Sequence, residues 1–292
     1  MMPLHLIPSL STSEMAAGHG LRHPLQTMAA SMNRREVQGI LGAAAALAAL
    51  APLIAHAQAP AIPPGETAIQ VGFLIYPDMI LLDLVSPLTI FSIMGAKTHF
   101  AWKSLEAVQT DVGVPFAPTT NLDNCPRDLD VLFVPGGLKG TVAVMQDPAI
   151  LEFLADRGSR AGHVTSVCTG SLALAAAGLL NGYKATSHWY VRDLLTLMGA
   201  SVVNERVVID RNRVTAGGVT AGMDFALSLC GLLRGAQFAR RLQLVLEYAP
   251  KPPFDAGTPD TAGPELTRTI LEARAPLLKA ARLAAESAGK PR

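Results

Sequence analysis

Val164-Thr165-Ser166-Val167-Cys168-Thr169-Gly170-Ser171 runs an apolar, β-branched segment straight into a cysteine and a set of small residues. The first four residues read as a strand buried on both faces, and the small residues as the start of a helix. A strand that becomes a helix within two residues puts the residue at the turn on the carboxyl edge of a parallel sheet. Cys168 occupies that turn, as the nucleophile does in a strand–elbow–helix. A helix start there is expected to lower the thiol pKa and to offer backbone N–H groups to an anion. A buried, inert cysteine is the bland alternative, and the elbow context favours the functional one.

The segments on either side repeat the pattern. Ile69 to Ile75 reads as a first buried strand, ending at Tyr76-Pro77-Asp78, with a helix over Leu81 to Met94 carrying Pro87. His99 to Leu105 reads as a second strand, and Gln109 to Thr120, broken by glycine and prolines, as an extended excursion. Val131 to Val134 reads as a third strand, closed by Pro135-Gly136-Gly137. A helix near Ala149 to Ala161 leads to the strand that ends at Cys168. Further helices are expected near Thr169 to Ala177 and His188 to Met198. Two short strands around Asp210 to Arg213 and a long helix from Thr220 follow. Alternating strands and helices predict a three-layer α/β/α sandwich with a mostly parallel central sheet. Ligands of such sheets bind outside the carboxyl ends of the strands, where the loops at Asp78 to Asp83, Gly136-Gly137 and Cys168 converge.

Asp83 lies in Leu81-Leu82-Asp83-Leu84-Val85, an apolar setting in which a charge needs a reason. Burial raises a carboxyl pKa and suits it to passing a proton; a helix cap is the competing role. Asp78, in the turn, is expected to be exposed and structural. Gly136 and Gly137, with the amide of Thr169, are candidates for an oxyanion-hole-like pocket. Past residue 57 the histidines are His99, His163 and His188. His163 precedes Cys168 by five residues, roughly 16 Å at strand rise, and His99 also begins a strand. His188, in Thr186-Ser187-His188-Trp189, can return to the site or merely start a helix. Three scattered histidines argue against a zinc centre. Cys125 and Cys230 read as passengers, with a bridge between them left open by sequence. Gly217, Gly218 and Gly222 read as turn and packing residues, and there is neither a phosphate-loop lysine nor a dinucleotide fingerprint.

The chain has 292 residues, 50% hydrophobic and 16% charged, with 24 Lys plus Arg against 23 Asp plus Glu. That excludes wholesale disorder and leaves no strong field for nucleic acid or an acidic membrane surface. Arg34-Arg35, the apolar run Gly39 to Ile54 and Ala55-His56-Ala57 together predict an export signal. The paired arginines suggest the twin-arginine route, and cleavage is expected after Ala57. A membrane anchor is the alternative, against which the run falls short of the ~20 apolar residues of a spanning helix. The expected organisation is therefore an N-terminal extension and export signal over 1–57 and a linker over 58–67. A catalytic domain over 68–263 and a helical tail over 264–292 follow, in a periplasmic or secreted protein.

Pro135-Gly136-Gly137, Val167-Cys168-Thr169-Gly170, Ala185-Thr186-Ser187-His188-Trp189 and Ala216 to Gly222 resemble the ThiJ/PfpI superfamily, on the flavodoxin-like, class I glutamine amidotransferase-like fold. Cys168-Thr169, Asp83 and the stretch Leu246 to Gly257 are most similar to the isonitrile hydratases of that superfamily. The resemblance implies hydration of a small-molecule isonitrile to an N-substituted formamide through a Cys168 thioimidate. It implies that Asp83 moves the proton and that Thr169 positions substrate or water. It further implies no metal or organic cofactor and a homodimer. Four other readings remain. A regulator's sensor half would need a longer segment after Gly263 for its helix-turn-helix units. A peptidase or amidase would need a base where Thr169 stands, and a glyoxalase or deglycase would take Asp83 as its carboxylate. The fourth is a non-catalytic ligand-binding or redox-sensing module.

Overall fold

In the computed structural model, residues 68–289 are described, and the expected export signal and linker lie outside them. The chain order is β1 (Gln70–Leu74), α1 (Leu81–Ile93), β2 (Lys97–Trp102), β3 (Val108–Gln109), β4 (Pro115–Phe116) and β5 (Thr120–Asn121). Next come β6 (Val131–Val134), α2 (Leu138–Met145), α3 (Pro148–Arg160), β7 (His163–Val167), α4 (Gly170–Ala176) and β8 (Lys184–Ala185). A 3-10 helix (Arg192–Met198), β9 (Ser201–Val202), β10 (Val207–Asp210) and β11 (Arg213–Ala216) precede the last four helices. These are α5 (Ala221–Arg234), α6 (Ala236–Val245), α7 (Pro259–Ala262) and α8 (Pro264–Ala288).

Seven strands form one sheet in the order β10-β11-β7-β6-β1-β2-β5. Every pairing is parallel except β10 with β11, which closes one edge as a hairpin. β6 and β11 are wholly buried, as the continuous apolar runs require when helices cover both faces. α1 and α5 pack together on one face; α2, α3, α4 and α8 cover the other. The tail helix α8 thus belongs to the domain, burying Ala281, Ala284 and Ala285 against it. Phe73 sits at the centre, in ring contact with Phe91, Phe100 and Phe133, and Phe133 reaches Phe225 of α5.

The strand order reverses between β1 and β6: the chain first builds outward through β2 and β5, then returns to add β6, β7 and β11. A crevice opens at the carboxyl ends where that reversal occurs. The α1, β6 and β7 termini all meet there.

Three local expectations change. Leu138–Met145 is a helix, where the sequence reading assigns no element between Gly137 and Ala149. His188 to Met198 is not one helix, since only Arg192–Met198 is helical and it is 3-10. The helix from Thr220 breaks at Gly235, whose φ of 85° ends α5 and begins α6. Cys125 and Cys230 are both unpaired and buried, so no disulfide joins them.

Candidate active site

Cys168 adopts a φ of 57°, a left-handed conformation that costs a non-glycine residue about 1–3 kcal/mol unless its surroundings impose it. Those surroundings are explicit. The Cys168 N–H donates to the carbonyls of Ala216 (3.1 Å) and Gly217 (2.9 Å), beyond the end of β11. Its carbonyl accepts from the Ser187 hydroxyl (2.9 Å) and the His188 N–H (3.3 Å). Gly170 lets the elbow close, because a Cβ there would lie 2.3 Å from the Val134 carbonyl oxygen.

The thiol is fully buried. Its sulfur accepts from the backbone N–H groups of Thr169 and Val219, and the Asp83 carboxyl lies beside it. The two N–H groups favour a thiolate, as the helix start was expected to do. Burial and the adjacent carboxyl outweigh them, and the thiol pKa is raised well above its ordinary value. The expected lowering is therefore overturned: Cys168 rests as a thiol.

Asp83 comes from the first turn of α1 and is also fully buried. Burial pushes its carboxyl up to about 7, against the pull of hydrogen bonds from the Gly136 N–H and from Cys168. Oδ2 accepts the Gly136 N–H at 2.9 Å, whereas Oδ1 has no hydrogen-bond partner. Gly136 is wedged between the two reactive groups. A Cβ there would lie 2.6 Å from Asp83 Oδ2 and 2.8 Å from Cys168 Sγ, so only glycine fits.

The expected oxyanion pocket is corrected by these contacts. The Gly136 N–H is committed to Asp83, and the Gly137 N–H donates to the Thr169 hydroxyl at 3.0 Å. The N–H pair that does face the sulfur comes from Thr169 and Val219. The Thr169 side chain is likewise engaged, in a buried chain with Thr141 (2.8 Å), from there to Tyr76 (3.1 Å), whose hydroxyl donates to the Pro135 carbonyl (2.6 Å). Its hydroxyl locks the β6 and β7 loops together; its amide serves the thiol.

A cavity of about 520 Å³ lies beside this centre, and neither Cys168 nor Asp83 is among its lining residues. Its walls include Ile80, Gly137, Leu138, Trp189, Tyr190 and Val219, so it borders both the Asp83 turn and the N–H that binds sulfur. His188 lines it too, with its ring 3.7 Å from that of Tyr190. Burial, helped by Arg274 and Arg192, drops the His188 pKa to about 4, and its Nδ1 has no partner. It is a neutral wall residue whose backbone, not its ring, holds Cys168. Burial, then the nearness of Cys168, pushes the Tyr190 hydroxyl up to about 12. His99 lies in the middle of β2, not at its start as expected, and pairs with Gln70, whereas His163 opens β7 at the amino end of the sheet. Asp78 is half-buried in the first loop, bound to Lys139 at 3.0 Å. Among the described residues no three His, Cys, Asp or Glu side chains converge as metal ligands would.

Val219, Tyr190 and Arg274 were not singled out from sequence. Tyr190 follows His188-Trp189, an aromatic cluster that marks a cavity wall. Val219 acts through its backbone, and Arg274 through tertiary packing of α8; neither leaves a local signal.

Residues 69–231 match the DJ-1/PfpI family. An isonitrile hydratase of Pseudomonas putida is 47% identical over 213 residues, spanning 73% of this chain and 92% of its own. A helix-turn-helix-type transcriptional regulator of Pseudomonas aeruginosa is 32% identical over 65% of this chain, a match that spans 54% of the regulator. The crystal structure of a ThiJ/PfpI family protein from Pseudomonas syringae superposes with a TM-score of 0.74 at 48% identity, covering 80% of this chain and 99% of that one.

Proposed function

The chain belongs to the DJ-1/PfpI family, and within it we propose a cysteine-dependent isonitrile hydratase. The observation that carries this is the buried Cys168–Asp83 pair, with a carboxyl poised near neutrality and no histidine ring among the described residues bonded to the sulfur. An isonitrile presents a linear, slender terminal carbon at the end of its substituent. In this reading the substituent occupies the cavity, and the N≡C head meets the thiol by passing the wall at Val219 and Gly137 that covers it at rest.

Near neutral pH the pair shares one proton above those of the fully ionised state. Asp83 takes the thiol proton as the sulfur attacks the terminal carbon, forming the S–C bond. The same carboxyl then gives that proton to the same carbon, leaving a thioimidate. The N–H groups of Thr169 and Val219 stabilise the sulfur's negative charge as it develops. Asp83, again a carboxylate, removes a proton from water as the water oxygen adds to the thioimidate carbon. Protonation of nitrogen and expulsion of the thiol release the formamide. All atoms come from isonitrile and water, so the step calls for no redox partner.

Product analysis on a small isonitrile panel tests the reading. One formamide per isonitrile consumed is the expected result. No turnover of any panel member by folded protein, or turnover that survives in Cys168→Ala, overturns it. Two further proposals follow the sequence reading. The first is a homodimer, tested by light scattering. The second is export with a mature start near Gln58, tested by N-terminal sequencing from the native host; a terminus upstream of Gly39 in cytosolic protein overturns it.

A further inference from the structure

Opposite the Cys168–Asp83 centre, the outer wall of the cavity is built by α8, which contributes Ile270, Arg274 and Leu277. All three lie beyond residue 231, where the family match ends. The wall that the substituent meets thus comes from the helix that follows the matched family segment, whereas the chemistry sits within that segment. The rest of the lining is largely apolar, from Ile80, Leu138 and Trp189.

The charged groups at the cavity divide unevenly. Lys139 is neutralised by Asp78. Asp111 accepts the Leu81 N–H at 2.9 Å, and this N–H at the start of α1 offsets part of its charge. Arg274 has no carboxylate partner among the described residues; its guanidinium lies over the Tyr190 ring, 5.5 Å from the centroid. A guanidinium resting on an aromatic face keeps its N–H edge available and is pre-ordered for a planar, bidentate acceptor.

We propose that the isonitrile this protein hydrates carries a carboxylate on an apolar substituent, and that Arg274 is the residue that selects it. This rests on the hydratase reading above. The terminal carbon goes to Cys168, the apolar body lies between Trp189 and Leu277, and the carboxylate pairs with Arg274 at the mouth. An uncharged isonitrile leaves that guanidinium on Tyr190 and gains only apolar contact.

The test compares kcat/KM of the full chain for cyclohexyl isonitrile and for its ring-carboxylated counterpart, at low and high salt. The parent should prefer the carboxylate, and salt should weaken the preference. Arg274→Met should cut the ratio by about tenfold, the scale of one charge-assisted hydrogen-bonded pair, and Arg274→Lys should restore part of it. A parent that prefers the neutral compound, or a ratio unaltered in a folded Arg274→Met, overturns the proposal. If neither isonitrile is turned over, the hydratase reading has failed by itself. Tryptophan-fluorescence titration with the neutral and carboxylated formamides then still decides the role of Arg274: a carboxylate preference lost in Arg274→Met supports it, and no preference in the parent sinks it.

Discussion

In the proposed reaction two side chains, Cys168 and Asp83, carry the chemistry, and each is held in a state that costs stability. Cys168→Ser should abolish turnover without unfolding the protein, while Cys125→Ala and Cys230→Ala should keep most of it, since Cys125 sits beside Arg157 and Cys230 within α5, away from the Asp83–Cys168 pair. Asp83→Asn preserves shape but cannot relay a proton, so kcat should fall by roughly 10² to 10⁴. His188→Gln should cost far less, because a ring with a pKa near 4 is a poor proton acceptor at neutral pH. The pair also fixes the pH response. Thiol attack requires the Asp83 carboxylate, so kcat/KM should rise as pH passes through about 7. A profile flat from pH 5 to 9 would show that Asp83 is not the titrating group. Stability runs the opposite way. The folded carboxyl has a pKa raised above its unfolded value, so the folded state binds the extra proton between about 4 and 7. Its stabilising effect is complete below that window and lost above it. Asp83→Asn should therefore raise Tm at pH 8, by a margin that vanishes near pH 4; calorimetry at the two pH values checks this. The meeting of Cys168 and Asp83 at one sheet edge was legible in the sequence because each breaks its context, a thiol at a strand end and a carboxylate among leucines. The direction of the thiol's shift was not, because burial by α1 and the β6 loop is a tertiary effect.

At the level of elements, the site is assembled by three strand-to-helix junctions and a pair of glycines that let them touch. Gly136→Ala would drive a methyl into Asp83 and Cys168 at once. Overpacking of this kind costs about 1–3 kcal/mol, and the displaced pair should lose on the order of 10² in kcat. Steady-state kinetics of a folded Gly136→Ala variant checks it; near-parent activity would mean that the junction has slack. Gly222 performs the same service on the outer face, where a Cβ would lie 2.7 Å from Ser86 Oγ, so α1 and α5 can pack closely. The strands were readable because burial on both faces leaves an unbroken apolar run, as in Val131 to Val134. α2 was not, because it follows Gly137 (φ 128°) directly, has no side-chain cap and lasts only eight residues. The segment after His188 carried enough apolar periodicity to suggest a helix. His188, Trp189 and Tyr190 instead form the cavity wall, and the helical turn waits until Arg192.

Across the whole molecule, α8 is both a structural layer and a wall of the cavity. It buries three alanines against α2, α4 and the 3-10 helix. Deleting residues from 264 onward should cost about 2 kcal/mol or more and lower Tm by roughly 5 °C. The same deletion should raise KM for any substrate whose substituent leans on Ile270 and Leu277. Scanning calorimetry and kinetics on the truncated chain check both; an unchanged KM would remove α8 from substrate binding. The sequence reading expected a helical tail here over 264–292. Its amphipathic pattern alone names no surface, and only the folded chain shows Arg274 reaching Tyr190.

The elbow has an experimental corollary for labelling. All three cysteines are buried in the folded protein, and Cys168 is also held as the unreactive thiol. Maleimides and other bulky alkylating reagents used to profile reactive cysteines should find nothing to modify until the chain unfolds. A survey of that sort would score this protein as lacking a nucleophile. A warhead suited to Cys168 has to be thin, linear and able to accept its proton from the neighbouring carboxyl, which makes a small isonitrile-derived electrophile the reagent of choice for trapping it.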